Sequence, residues 1–184
     1  KACIYQKQEP VNIPQIETSI LTDVLKLPWG FELYDLLTRW NPLRPGRPTA
    51  RPYNGRNVLV VGLGPAGYTL ANHLADEGFG VVGVDGLKIE PLPARLLEHP
   101  VERVEDVMVE LDERVLLGFG GVSEYGITVR WDKNFLTLVY LSLARRANLA
   151  VYGGVRFGGT LDLDDAWRAG FDHVAIAAGA GKPT

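Results

Sequence analysis

The sequence predicts an α/β fold in which a parallel sheet carries helices on both faces, and three observations predict it. Asn57-Val-Leu-Val-Val61 is an apolar strand that runs into Gly62-Leu-Gly-Pro-Ala-Gly67 and opens a helical pattern, Tyr68 to Glu77, stopped by Gly78. A second strand follows at Gly80-Val-Val-Gly-Val-Asp85. After an interruption the alternation resumes, with a helix at Phe135–Asn148, a strand at Leu149–Tyr152, a short helix at Asp162–Gly170 and a strand at His173–Ala178. This order is Rossmann-like, α/β with a parallel sheet.

The chain before the first strand has two parts. Residues 1–40 form a short helical extension. One helix is expected over Glu17–Leu27, with Ile20, Leu21, Val24, Leu25 and Leu27 apolar, and another over Glu32–Trp40, with Leu33, Leu36, Leu37 and Trp40 on one face; Pro28-Trp-Gly30 separates them. Residues 41–56 hold four prolines, two glycines and four arginines, the composition of a surface linker, and end in the turn Tyr53-Asn-Gly55. Residues 57–184 form the sheet domain, into which 86–118 is inserted. In that insertion Val101, Val104, Met108, Leu111 and Val115 recur at spacings of three and four and predict one helical face, with the acidic residues between them solvated. Arg145 and Arg146 fall in the last turn of the next helix, where cations oppose the helix dipole, and His173–Ala178 reads as a buried parallel strand.

The first glycine loop carries the chemistry. Gly62 allows the tight turn out of the strand, Gly64 lets backbone approach a pyrophosphate, Pro65 and Ala66 open the helix, and Gly67 lets that helix pack closely on the strand. A helix N-terminus offers unpaired N–H groups to phosphates. Asp85 lies eighteen residues beyond Gly67, near the spacing of about 20 at which a carboxylate binds an adenosine ribose. The pattern predicts a binder of FAD or NAD, and an acid at this position disfavours NADP in this site. A second cluster, Gly118-Phe-Gly-Gly121 leading to Tyr125, is compatible with an ordinary turn and with a ligand-contacting loop.

Composition narrows the rest. The chain has 184 residues, enough for one core with an extension, and its net charge of −3 without a Lys/Arg-dense block gives no case for nucleic acid or an anionic membrane. No apolar run approaches the about 20 residues needed to span a bilayer. A single cysteine, Cys3, excludes an internal disulfide and fits a cytoplasmic setting. His73, His99 and His173 lack partners at motif spacing, and no nucleophile elbow, Walker loop or C-x-x-C pair is present, so the chemistry is expected from a cofactor. The opening Lys1-Ala-Cys and the close Gly181-Lys-Pro-Thr184 read as those of a fragment.

Taken together, Cys3 with Glu9-Pro-Val-Asn-Ile13, the Gly62–Gly67 loop, Gly120-Gly121 with Tyr125-Gly-Ile127 and Lys133, and Ala177-Ala-Gly-Ala180 make the chain resemble the flavoprotein family of the glutamate synthase small subunit and related NAD(P)H-dependent FAD oxidoreductases. The resemblance implies that the Gly62–Gly67 loop binds FAD, that Gly120, Gly121 and Tyr125 lie toward the flavin, and that the segment at Gly179 closes the first half of the FAD domain before an inserted NAD(P)H domain. It also implies that Cys3 is the last ligand of an iron–sulfur cluster held by an N-terminal helical domain, although the residues alone equally allow an incidental thiol. A parent protein of this kind passes electrons from NAD(P)H through FAD and iron–sulfur clusters to a large partner subunit, and a fragment on its own is expected to be inactive.

The sequence departs from the family's pattern in having Asp85 where glutamate is usual, the insertion at 86–118, Trp131-Asp-Lys133 where Leu-Pro-Lys is common, and Ala178 where threonine is usual. Two other readings use the same first strand and loop. One is an NAD-binding dehydrogenase module, and the other is a non-catalytic scaffold that keeps the fold to bind a partner.

Overall fold

A computed structural model describes residues 8, 11–40, 43, 50–110, 118–126 and 132–180. Four strands, β1 (Asn57–Val61), β2 (Gly80–Val84), β3 (Leu149–Tyr152) and β4 (His173–Ile176), form one parallel sheet in the order β3-β2-β1-β4. The registers are Val58 with Val81 and His173, and Val81 with Leu149. The chain therefore steps outward from β1 to β3 and returns to β4 on the other side of β1. That reversal makes the crevice beyond the ends of β1 and β4 the switch point at which open α/β sheets bind ligands.

Helices cover both faces. Helix α3 (Pro65–Asp76) links β1 to β2, and the apolar run Asn134–Ala144 forms a helix, α5, before β3. Both pack on one face, where Val58, Val60, Ala71, Ala75, Val81, Tyr140 and Leu143 form a continuous core. Helix α6 (Leu163–Arg168) covers the other face through Ala166 against Leu59, Val61 and Val84. It starts at a capping box, in which the Asp162 carboxylate accepts from the Asp165 N–H and the Asp165 carboxylate accepts from the Asp162 N–H.

The extension contributes α1 (Ile13–Leu25) and α2 (Gly30–Arg39), joined by a turn in which Trp29 takes a left-handed φ of 61°. The expected stripe of α2 faces outward. Leu33, Leu36, Leu37 and Trp40 are each more than 40% exposed, while Phe31 and Leu25 are buried in a second core with Leu96, Val101, Val104, Val107, Phe135, Leu138 and Leu141. Amphipathic spacing predicted the helix, but the core selected Phe31 and Tyr34 instead of the stripe.

Over residues 101–110 the insertion does not form the expected helix. Among its described residues the regular pieces are a short helix α4 (Ala94–Glu98) and one 3₁₀ turn at Val104–Asp106, and Leu111 and Val115 lie outside the described residues. His99-Pro100 ends α4 before Val101, and Val104 reaches the second core from the 3₁₀ turn, with Val101 and Val107 on either side of it. Polar ties hold this segment. The Val109 N–H donates to Asn134 Oδ1 at 2.9 Å and Asn134 Nδ2 donates to the Val109 carbonyl at 2.8 Å. Arg145 donates to the carbonyls of Leu96 and His99 and to Glu32, and its guanidinium lies 5.3 Å from the Phe31 ring centroid. Arg146 turns the other way to Asp76 and Asn72.

β4 differs from the sequence expectation in one respect. It is parallel, but it is an edge strand, and Ile176 is 63% exposed. The start of β1 is tied to the approach to β4 by Asp172, which accepts the Asn57 N–H at 2.7 Å and Arg56 at 2.6 Å. These two donors, the backbone N–H first, hold the Asp172 carboxyl below its ordinary value of 3.8. A carboxyl depressed on folding stabilises the fold above its unfolded value, and that contribution disappears as pH falls through the folded value. Thermal unfolding followed from pH 6 to pH 2.5 is thus expected to fall more steeply below about pH 4 in the wild type than in Asp172→Asn.

No helix among the described residues is long and apolar enough to cross a membrane.

Candidate functional site

The glycine loop leaves β1 through Gly62, whose φ of 94° is open to glycine and strained for other residues. A Cβ at Gly62 would collide with the Ala177 carbonyl beyond β4, because the loop crosses directly over the switch point. At Gly67 a Cβ would strike the Gly62 carbonyl, so the first turn of α3 is held against the strand end by the absence of a side chain. Gly64 differs from both. A Cβ there would have the Gly120 carbonyl at 3.9 Å as its nearest neighbour, so the position faces open space.

Gly64 is also the N-cap of α3. It has no side chain to satisfy the first turn, and Pro65, the first helical residue, has no N–H. Pro65 and Ala66 are exposed and Gly67 is buried. An uncapped helix start beside a side-chain-free opening suits a diphosphate, which would accept the remaining N–H groups and oppose the helix dipole.

Asp85 follows β2 directly, and its backbone N–H donates to the Tyr152 carbonyl at 3.0 Å. Its carboxylate accepts the Leu63 N–H at 2.8 Å through Oδ2 and the Leu87 N–H at 3.0 Å through Oδ1. The carboxylate thus braces the glycine loop. Each oxygen keeps a further lone pair for an outside donor, since an ionised carboxyl accepts at about four sites.

The second glycine cluster joins the first. Gly120 has φ 99° and Gly121 φ 50°, and a 3₁₀ turn runs from Gly121 to Tyr125. A Cβ at Gly121 would lie 3.2 Å from the Gly64 Cα, so the two turns meet glycine against glycine. Behind them Tyr68, Phe119 and Tyr140 stack in series, with centroids 5.6 Å and 4.9 Å apart, and the Tyr68 hydroxyl lies 3.1 Å from Ser123 Oγ. Burial raises the Tyr140 phenol pKa.

The structure brings Gly62, Gly64, Pro65, Ala66, Gly67, Asp85, Gly120 and Gly121 to one end of the sheet. Gly179, with φ 74°, follows β4 at that same end. Tyr125 closes the 3₁₀ turn. Cys3 lies outside the described residues, among which no group of three or more His, Cys, Asp or Glu side chains is arranged to hold a metal. Sequence reasoning missed Ser123 and the role of Tyr68. Tyr68 was legible only as the first residue after the loop.

No family model matches the chain. It is 51% identical over 183 residues to uncharacterized protein RP006 of Rickettsia prowazekii, a match that takes in 100% of this chain and 26% of that protein. The chain thus spans about a quarter of the length of this relative. Among solved structures it is similar to histamine dehydrogenase from Rhizobium sp. 4-9, at 26% identity and a TM-score of 0.42 over 77% of this chain and 17% of that one. It is also similar to 6-hydroxypseudooxynicotine amine oxidase (HisD) from Pseudomonas geniculata N1, at 23% identity and a TM-score of 0.41 over 78% and 17% of the two chains. Scores this low leave the functional reading to the residues themselves.

Proposed function

We propose that this chain is the FAD-binding part of a flavin-dependent NAD(P)H oxidoreductase similar to the glutamate synthase small subunit. Its residues bind and orient the cofactor. The first turn of α3 and the backbone at Gly64 take the pyrophosphate, Asp85 accepts hydrogen bonds from the adenosine ribose, and Gly120, Gly121, Tyr125 and Gly179 lie toward the flavin. The flavin, when bound, supplies hydride acceptance from NAD(P)H and onward electron transfer. In the longer parent Cys3 would be the last ligand of an iron–sulfur cluster that passes these electrons to a partner subunit.

The observation that carries this reading is the contact of the Gly120–Gly121 turn with Gly64. A simple NAD-binding module has no need of a second glycine turn packed against its phosphate loop.

The visible absorbance spectrum of the purified full-length protein tests the reading, with bound flavin as the expected result. Asp85→Ala is expected to weaken FAD binding roughly ten- to a hundredfold, the worth of one charged hydrogen-bond acceptor. It also removes the acceptor for the Leu63 and Leu87 N–H groups, with a stability cost of about 1–3 kcal/mol. Retention of NAD in place of FAD would support a dehydrogenase module. Failure to bind any nucleotide, even on reconstitution, would support a scaffold.

A further inference from the structure

We propose that Tyr68 is a positioning residue whose hydroxyl docks the second glycine turn onto the first. The consequence for the cofactor rests on the FAD reading above, while the docking itself does not.

The hydrogen bonds within the turn are local: the Ser123 N–H donates to the Gly120 carbonyl at 3.0 Å and the Gly126 N–H to the Ser123 carbonyl at 2.8 Å. They set the shape of the turn but do not fix where it sits. Its placement comes from the two sides. On the upstream side the Phe119 ring is sandwiched between Tyr68 and Tyr140, at interplanar angles of 28° and 16°. Leu136 Cδ2 fills the space where a Gly120 Cβ would stand, at 2.7 Å. On the downstream side Ser123 Oγ meets the Tyr68 hydroxyl.

Tyr68 therefore grips the turn both before and after its glycine pair, by its ring and by its hydroxyl. It sits one residue beyond Gly67 in the first turn of α3, so the element that presents the N–H groups at Gly64 also sets the position of the Gly120–Gly121 backbone. The two glycine turns behave as one jaw.

The experiment uses the full-length protein with FAD and the variants Tyr68→Phe, Ser123→Ala and their combination. Phenylalanine keeps the stack and removes only the hydroxyl. Each single change is expected to weaken FAD binding about fivefold, the worth of one neutral hydrogen bond, and the double variant to be no weaker than either single. Amide hydrogen exchange at Ser123 and Gly126 should quicken, and the visible circular dichroism of bound flavin should shift. Asp162→Ala removes the cap of α6 on the opposite face and serves as a control. It should lower the unfolding temperature while leaving FAD affinity and exchange at the two amides unchanged.

Unchanged exchange at both amides in Tyr68→Phe, or additive losses in the double variant, would overturn the docking. Should the wild type take up no FAD while exchange still quickens, the FAD reading falls and the docking stands.

Discussion

Gly67→Ala is expected to cripple the fold, whereas Gly64→Ala leaves it standing and removes its ligand. At Gly67 the added methyl would strike the Gly62 carbonyl, which belongs to backbone fixed by β1 and by the bond from the Gly62 N–H to the Val84 carbonyl at 2.8 Å. Neither partner can retreat without unpairing the sheet centre. The cost should reach or exceed the upper part of the about 1–3 kcal/mol typical of overpacking, a fall in unfolding temperature of roughly 6–12 °C for a chain of this size. At Gly64 the same methyl meets nothing closer than 3.9 Å, so stability should change by less than about 1 kcal/mol, the difference between glycine and alanine as N-caps. The methyl would instead occupy space needed by a pyrophosphate, and FAD binding should weaken about a hundredfold. Thermal denaturation and equilibrium FAD titration of the two variants separate the effects. Equal losses of stability would show that Gly64 is structural.

The second large effect is expected at Arg145. Its side chain is 11% exposed and joins three pieces of chain, donating to Glu32 at 2.7 Å, to the Leu96 carbonyl at 2.7 Å and to the His99 carbonyl at 2.6 Å. Arg145→Met keeps much of the volume and removes every donor. It strands a partly buried carboxylate and two carbonyls, and removing one partner of a buried pair costs about 3–5 kcal/mol. Because Glu32 is 28% exposed, the lower end is expected. Glu32→Gln should cost less than half as much, since its oxygen still accepts from Arg145 and from the Val101 N–H. Urea denaturation resolves the two, and near-equal losses would place the whole effect in the Arg145–Glu32 charge pair, leaving nothing for the bonds to the Leu96 and His99 carbonyls.

The legible part of the molecule was the part in which backbone geometry dictates residue type. Gly62 and Gly67 stand where a Cβ collides with a carbonyl, and the steric demand writes glycine into the sequence at a spacing that can be recognised. The α3 and α6 boundaries were legible for a similar reason, since Gly78 and the Asp162 cap are local signals. Where structure depended on distant partners, spacing misled. Val101, Val104 and Met108 fit a helical period, yet over 101–110 the only regular piece among the described residues is the 3₁₀ turn at Val104–Asp106, and Arg145 and Asn134, from another part of the chain, bond to its two sides. The outward face of α2 failed in the same way, because periodicity shows that a stripe exists and not that Phe31 is the residue the core will take. The glycine content of 118–121 could not separate a turn from part of a site. The contact between Gly121 and Gly64 is a tertiary fact.

The return of β4 to the central strand also sets an order of events during synthesis. The registers of β1 with β2 are satisfied within a short stretch of chain, so β1, α3 and β2 can associate early. The other edge of β1 waits for His173–Ile176, more than a hundred residues later. At ribosomal rates of about 5–20 residues per second, the Val58–Val61 edge stands open for on the order of ten seconds. During that interval the nascent chain presents an apolar strand with unpaired N–H and C=O groups, and its hazard is capture by another nascent strand. Pairing with β4 is consequently a late step of high contact order, and until it occurs the open edge of β1 is a template for wrong strand pairing.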